Sequence, residues 1–144
     1  MSYLPELGRS ALVASGEHVR AVGWLHPDHP FAKGDVSKEF MDRLNEFIGS
    51  YKNDDFFNFP GVAGLHCCEF CAKVYGGGNL GLPCGDLLYV FPDMIVHYVE
   101  KHSYRPPQEF VDALLSSPLP DSEEFFVLTE PFWQLHNVQQ EHFD

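Results

Sequence analysis

The chain has 144 residues, 44% apolar and 15% aromatic, enough for one domain with its own core and too hydrophobic for a disordered chain. Its 21 acidic and 9 basic residues give a formal charge of −12. That balance repels phosphate backbones and anionic lipid, so it excludes general nucleic-acid binding and a membrane-surface role. No run of about 20 apolar residues is present to span a membrane, and residues 1–15 lack the apolar core of a signal peptide. Cys67, Cys68 and Cys71 fall within five positions, a spacing that suits a metal ion better than a disulfide framework. Together these features predict a cytoplasmic protein in a reducing compartment.

In chain order, residues 1–18 read as a loose lead-in with weak helical character near Gly8–Ser15. His18–Leu25 reads as a strand, with Val19, Ala21 and Gly23 alternating with Arg20, Val22 and Trp24. His26-Pro-Asp-His-Pro30 is a turn. A helix follows, capped by Ser37, with Phe40, Met41, Leu44, Phe47 and Ile48 at helical spacing and Gly49 as its stop. Residues 51–66 form a loop leading into the cysteines. Asn79–Pro83 and Asp86–Phe91 flank Cys84-Gly85 as a β-hairpin. Pro92 opens a helix whose apolar face is Met94, Ile95, Tyr98 and Val99, and which ends near His102 because Pro106-Pro107 cannot continue it. Pro107 opens the next helix, with Phe110, Val111, Leu114 and Leu115 as its stripe. The first of these two helices is expected to pack on the second through Phe110 and Leu114. In the tail, Phe125–Leu128 is a short helix or strand, followed by Phe132 and Trp133.

These elements predict an α+β fold: one small domain with a zinc knuckle, a β-hairpin and two or three packed helices. Residues 1–18 would be its lead-in, 19–115 the core with the metal site, and 116–144 an acidic, aromatic tail. From Pro106 to Asp144 there are eight acidic residues and no Lys or Arg, so most of the excess charge lies in the last quarter.

The chemistry-bearing pattern is Cys68-Glu-Phe-Cys71, then, with 25 residues between, His97, and with four more between, His102. Two thiolates and two imidazoles make a neutral tetrahedral set for Zn²⁺, and both spacings are those of zinc-finger ligands. The metal ligands are therefore expected to be Cys68, Cys71, His97 and His102. One geometric demand follows. Residues five apart on a regular helix lie roughly 140° apart around its axis, so the last turn must loosen for both rings to reach one ion. His66 and Cys84 are spare ligands, either able to replace one of the four. Cys67 is expected to face away. His26, Asp28 and His29 are expected to be a solvated turn rather than a second metal site, and His136 and His142 surface residues. Asp54-Asp55 is a weak candidate for acid–base work. Phosphate loops, nucleophile elbows, HExxH helices and dinucleotide fingerprints are absent from the sequence.

The runs Gly23-Trp-Leu-His-Pro-Asp-His-Pro-Phe31, Gly64-Leu-His-Cys-Cys-Glu-Phe-Cys71 and Val90 to Phe110 resemble a family of small uncharacterised bacterial proteins. That family shares a Cys-Glu-x-Cys knuckle and a His-Tyr-x-x-x-His-x-Tyr-x-Pro-Pro stretch. The resemblance spans roughly residues 22–115, and it implies a zinc-knuckle-like domain of bacterial source with no assigned activity.

Four protein ligands leave a zinc ion no open position, so the site is expected to be structural and the protein an interaction or regulatory module. Its acidic tail would meet a protein with a basic surface. Two rivals stand beside this: an acidic inhibitor or immunity-type protein masking a basic enzyme, and a zinc-dependent hydrolase with an open metal position. The hydrolase is the weaker, because the motif places no general base.

Overall fold

The computed structural model describes residues 3–9, 17–51, 66–71, 75–76 and 79–141. In chain order the elements are β1 (Val19–Ala21), α1 (Lys38–Tyr51), β2 (His66–Cys67), β3 (Tyr75–Gly76), β4 (Asn79–Cys84), β5 (Leu87–Pro92), α2 (Ile95–His102), α3 (Gln108–Ser116) and α4 (Glu123–Glu141). The fold is α+β, with four helices among the described residues where the sequence predicts two or three. The fourth is α4, which turns the expected short tail element into a long helix.

The hairpin around Cys84 is the centre of the sheet. β4 and β5 pair antiparallel from Asn79↔Pro92 to Cys84↔Leu87, and Gly85 supplies the left-handed conformation of the turn at φ 59°. The free edge of β5 takes β1 in parallel, Val19 opposite Leu88, so the order is β1-β5-β4. A two-stranded ribbon, β2 and β3, holds the cysteine knuckle separately.

The alternation expected along His18–Leu25 holds only over Val19–Ala21, because residues 21 to 25 are all buried. Only Val19–Ala21 is strand, and the chain beyond it is covered on both sides. Residues of the lead-in lie along it, Leu7 N–H donating to the Ala21 carbonyl at 2.7 Å and Leu4 N–H to that of Trp24 at 3.3 Å. The Trp24 indole N–H donates to the Val90 carbonyl at 2.9 Å. Ile95 presses on Gly23, whose φ is +80° and where an added Cβ would stand 3.3 Å from the Ile95 side chain. The possible helix near Gly8–Ser15 lies largely outside the described residues, as does most of the 51–66 loop.

α1 starts as expected, the Ser37 hydroxyl accepting from the Phe40 N–H at 3.1 Å. It does not stop at Gly49 but runs to Tyr51, since an exposed glycine costs a helix only about 1 kcal/mol. Pro92 is the last residue of β5 rather than the first of a helix, and α2 begins at Ile95. Met94, Ile95, Tyr98 and Val99 are buried as the periodicity predicts. The Phe110 ring of α3, however, meets Phe40 of α1 and Tyr89 and Phe91 of β5, so α3 lies on α1 and the hairpin. Phe47 links this ring cluster to Phe125 of α4. Among the described residues no helix is long and apolar enough to cross a membrane.

Candidate metal centre

The knuckle Cys68–Cys71 is the turn that follows β2, and α2 carries the two histidines. Cys68, Cys71, His97 and His102 each place one ligand atom within 4.8 Å of every other, and among the described residues this is the one such group of three or more. Cys68 Sγ lies 3.4 Å from His102 Nε2, Cys71 Sγ 3.4 Å from His97 Nε2, and the two Nε2 atoms are 3.2 Å apart. Cys68 is buried and the other three are half-buried.

Hydrogen bonding alone does not account for this arrangement. A neutral imidazole Nε2 offers either one hydrogen or one lone pair, directed in the ring plane. Here each Nε2 has two neighbours at 3.2–3.4 Å, so one contact per ring is left unmatched. A cation at the centre satisfies all four donors at once. Burial, reinforced by the positive fields of His102 and Lys101, lowers the His97 pKa and keeps the ring in the neutral form that binds metals. Burial raises the Cys68 thiol above its ordinary value. A metal ion must therefore displace a proton there, and its affinity falls as pH falls. The group can hold a metal ion.

The end of α2 explains how residues five apart converge. Ser103 takes a left-handed conformation, φ 56°, and its N–H returns to the Tyr98 carbonyl. The Tyr104 N–H reaches the same carbonyl at 3.2 Å. Spans of five and six replace the α-helical four, so the turn holding His102 is widened and His102 swings toward the side of His97. The widened end is pinned by the preceding loop, Gly34 N–H donating to the Ser103 carbonyl and Arg105 N–H to that of Ala32, both at 3.0 Å.

The other candidates stand apart. Cys67 Sγ donates to the Cys68 carbonyl at 3.6 Å and is not in the group. Cys84 is exposed at the hairpin turn. The side chains of His66 and His136, together with Asp54, Asp55 and His142, lie outside the described residues. The 26–30 segment is a turn exposed from Pro27 to Pro30, as expected, and both of its histidines have partners. The Asp28 N–H donates to His26 Nδ1 at 3.0 Å, which places the ring hydrogen on Nε2, 3.2 Å from the Glu69 carboxylate. His29 stacks on Tyr3 with centroids 3.8 Å apart.

Sequence reasoning did not find the role of the two residues between the cysteines. Glu69 holds the knuckle to the 26–30 turn through His26. Phe70 inserts among Phe31, Tyr98 and His102, with centroids 5.4, 6.0 and 4.9 Å away. The Glu-Phe pair inside the motif was the available signal.

A family model described as a domain of unknown function, DUF7919, matches residues 2–115. The chain belongs to this family. The DUF7919 match takes in the knuckle, the hairpin, α2 and α3, and it ends at the residue where the resemblance read from the sequence ends. It begins earlier than that resemblance, at residue 2, consistent with the lead-in's hydrogen bonds to residues 21–24. No curated protein and no solved structure matches this DUF7919 chain.

Proposed function

We propose that the domain is a structural-zinc protein of the reducing cytoplasm, acting as an interaction module. Zinc on Cys68, Cys71, His97 and His102 fastens the knuckle to α2, and the acidic outer face of α4 meets a protein with a basic surface. The donor distances carry the metal reading. With zinc–sulfur bonds of about 2.3 Å and zinc–nitrogen bonds of about 2.05 Å, a tetrahedron has S···N edges of about 3.6 Å and an N···N edge of about 3.3 Å. Three of the six edges are 3.4, 3.4 and 3.2 Å, and all four ligand atoms lie within 4.8 Å of one another. A closed Cys₂His₂ set leaves no position for a substrate, which favours a structural ion over a hydrolytic one.

The interaction surface differs from the one the tail's aromatic content suggests. Phe125 and Phe132 are 1% and 4% exposed and belong to the core, and the Trp133 side chain lies outside the described residues. The next residues of α4 offer a different patch: Phe126, Val127 and Leu128 are 51, 63 and 44% exposed, flanked by exposed Glu123, Glu124 and Glu130. An apolar patch with an acidic rim suits a basic partner, the charges speeding encounter and Phe126 anchoring it.

Elemental analysis of the purified chain tests the metal reading. One zinc per chain, lost in Cys71→Ser and kept in Cys84→Ser, is expected. A metal-free protein, or one whose zinc survives Cys71→Ser, overturns it.

A further inference from the structure

A cleft of about 420 Å³ opens on the side of the sheet where the lead-in, the 24–32 segment and the chain after α2 meet. Its size is that of small-molecule sites, and its walls are mainly apolar. Trp24, Phe31, Tyr3 and Pro107 line it together with two charged groups of opposite sign, Glu6 and Arg105. Among the described residues neither of these forms an ion pair, with the other or elsewhere.

Both groups are held in place and both keep bonding capacity. Glu6 lies at the surface, but its carboxylate turns inward: Oε1 accepts from the Gly23 N–H at 2.9 Å and Oε2 from the Tyr104 hydroxyl at 2.5 Å. Each oxygen has a further lone pair. Arg105 donates to the Asp35 carbonyl at 2.7 Å and to Gln108 Oε1 at 3.0 Å, leaving three of its five N–H groups unengaged among the described residues. Desolvation lifts the Glu6 carboxyl above its ordinary range, so an arriving cation would relieve a charge that the protein bears unpaired.

We propose that this cleft binds a free α-amino acid with an apolar side chain, its ammonium on Glu6, its carboxylate on Arg105 and its side chain against Trp24, Phe31 and Pro107. A simple amine would leave Arg105 idle beside a positive charge, and a simple acid would meet the Glu6 carboxylate. Only a zwitterion uses both groups, and aromatic walls favour an ammonium over a hydrated metal ion. The reading is independent of the zinc site.

Isothermal titration of the full, metal-loaded chain with three probes tests it: L-phenylalanine, phenethylamine, which lacks the carboxylate, and 3-phenylpropionate, which lacks the ammonium. L-Phenylalanine should bind, and each truncated probe should bind about tenfold more weakly or worse. Arg105→Gln should weaken L-phenylalanine by a similar factor and should not weaken phenethylamine. Because Glu6 also holds Tyr104 and Gly23, a second variant, Ala32→Trp, places a bulky ring at the cleft wall while keeping both charged residues and should abolish binding. Absence of heat with every probe at millimolar concentration overturns the proposal. So does equal binding of the three probes, or indifference to Arg105→Gln or to Ala32→Trp.

Discussion

The Nε2 atoms of His97 and His102 approach to 3.2 Å although the residues are five apart on one helix. On a regular helix their directions would differ by roughly 140°. The convergence comes from the helix end, where Tyr98 accepts from both Ser103 and Tyr104 and the last turn widens. The left-handed Ser103 and the pairing of residues 103–105 with 32–34 hold this shape, so the geometry of the Cys/His group is built partly by a loop 70 positions away.

Stripping the metal should loosen the knuckle from α2. Chelation, or Cys71→Ser, is expected to lower the melting temperature by roughly 10 °C or more, since metal binding in small zinc domains is folding free energy. Scanning calorimetry with and without chelator measures it. An unchanged melting point after the bound ion is removed would show that the ion does not brace the fold.

Ile95→Ala should cost about 2–5 kcal/mol, because Ile95 is fully buried against Gly23 and a cavity would remain. Glu100→Ala, on the exposed face of the same helix, should stay within about 0.5 kcal/mol. Urea denaturation compares them, and equal effects would place the helix face wrongly.

Gly23→Ala should destabilise by about 1–3 kcal/mol. The backbone there has φ +80°, and the new methyl would crowd Ile95 at 3.3 Å. The same residue's N–H binds Glu6, so the variant should also disturb the cleft. Denaturation that superimposes on the parent's would show that the segment shifts freely.

Glu6 sets a pH dependence of definite sign. Its folded pKa is raised above 4.5, so the folded state binds this proton more tightly than the unfolded chain. The stability it contributes is fully present below pH 4.5 and is lost as pH rises through the folded value. Glu6→Gln removes the titration. Subtracting its denaturation free energy from the parent's at each pH should therefore give a difference that moves in favour of the variant from pH 4.5 to 7. A constant or reversed difference would contradict the assignment.

Phe125 and Phe126 are neighbours with opposite expected roles. Phe125→Ala should cost about 3–5 kcal/mol, its ring being packed on Phe47. Phe126→Ala should leave the melting temperature nearly unchanged and weaken capture of a basic partner, with the remaining affinity falling as salt rises. Calorimetry and a salt series distinguish them.

By itself the sequence determined what depends on residue type and short spacing. The four Cys and His residues able to hold a metal ion, the capped α1, the hairpin and its glycine turn, and the buried face of α2 are all legible from residue type and spacing. Tertiary structure decided what depends on distant segments meeting. The parallel pairing of β1 with β5 and the burial of residues 21–25 arise because the lead-in and α2 cover that strand from both sides, which no period-two alternation announces. The fate of α4 was likewise decided by packing: Phe125 and Phe132 find the core, leaving Phe126, Val127 and Leu128 outside. The cleft is the clearest case. Glu6, Trp24 and Arg105 share no motif and come together because Glu6 accepts from both Gly23 and Tyr104 while the Arg105 N–H bonds the Ala32 carbonyl, which joins three distant segments around the cleft.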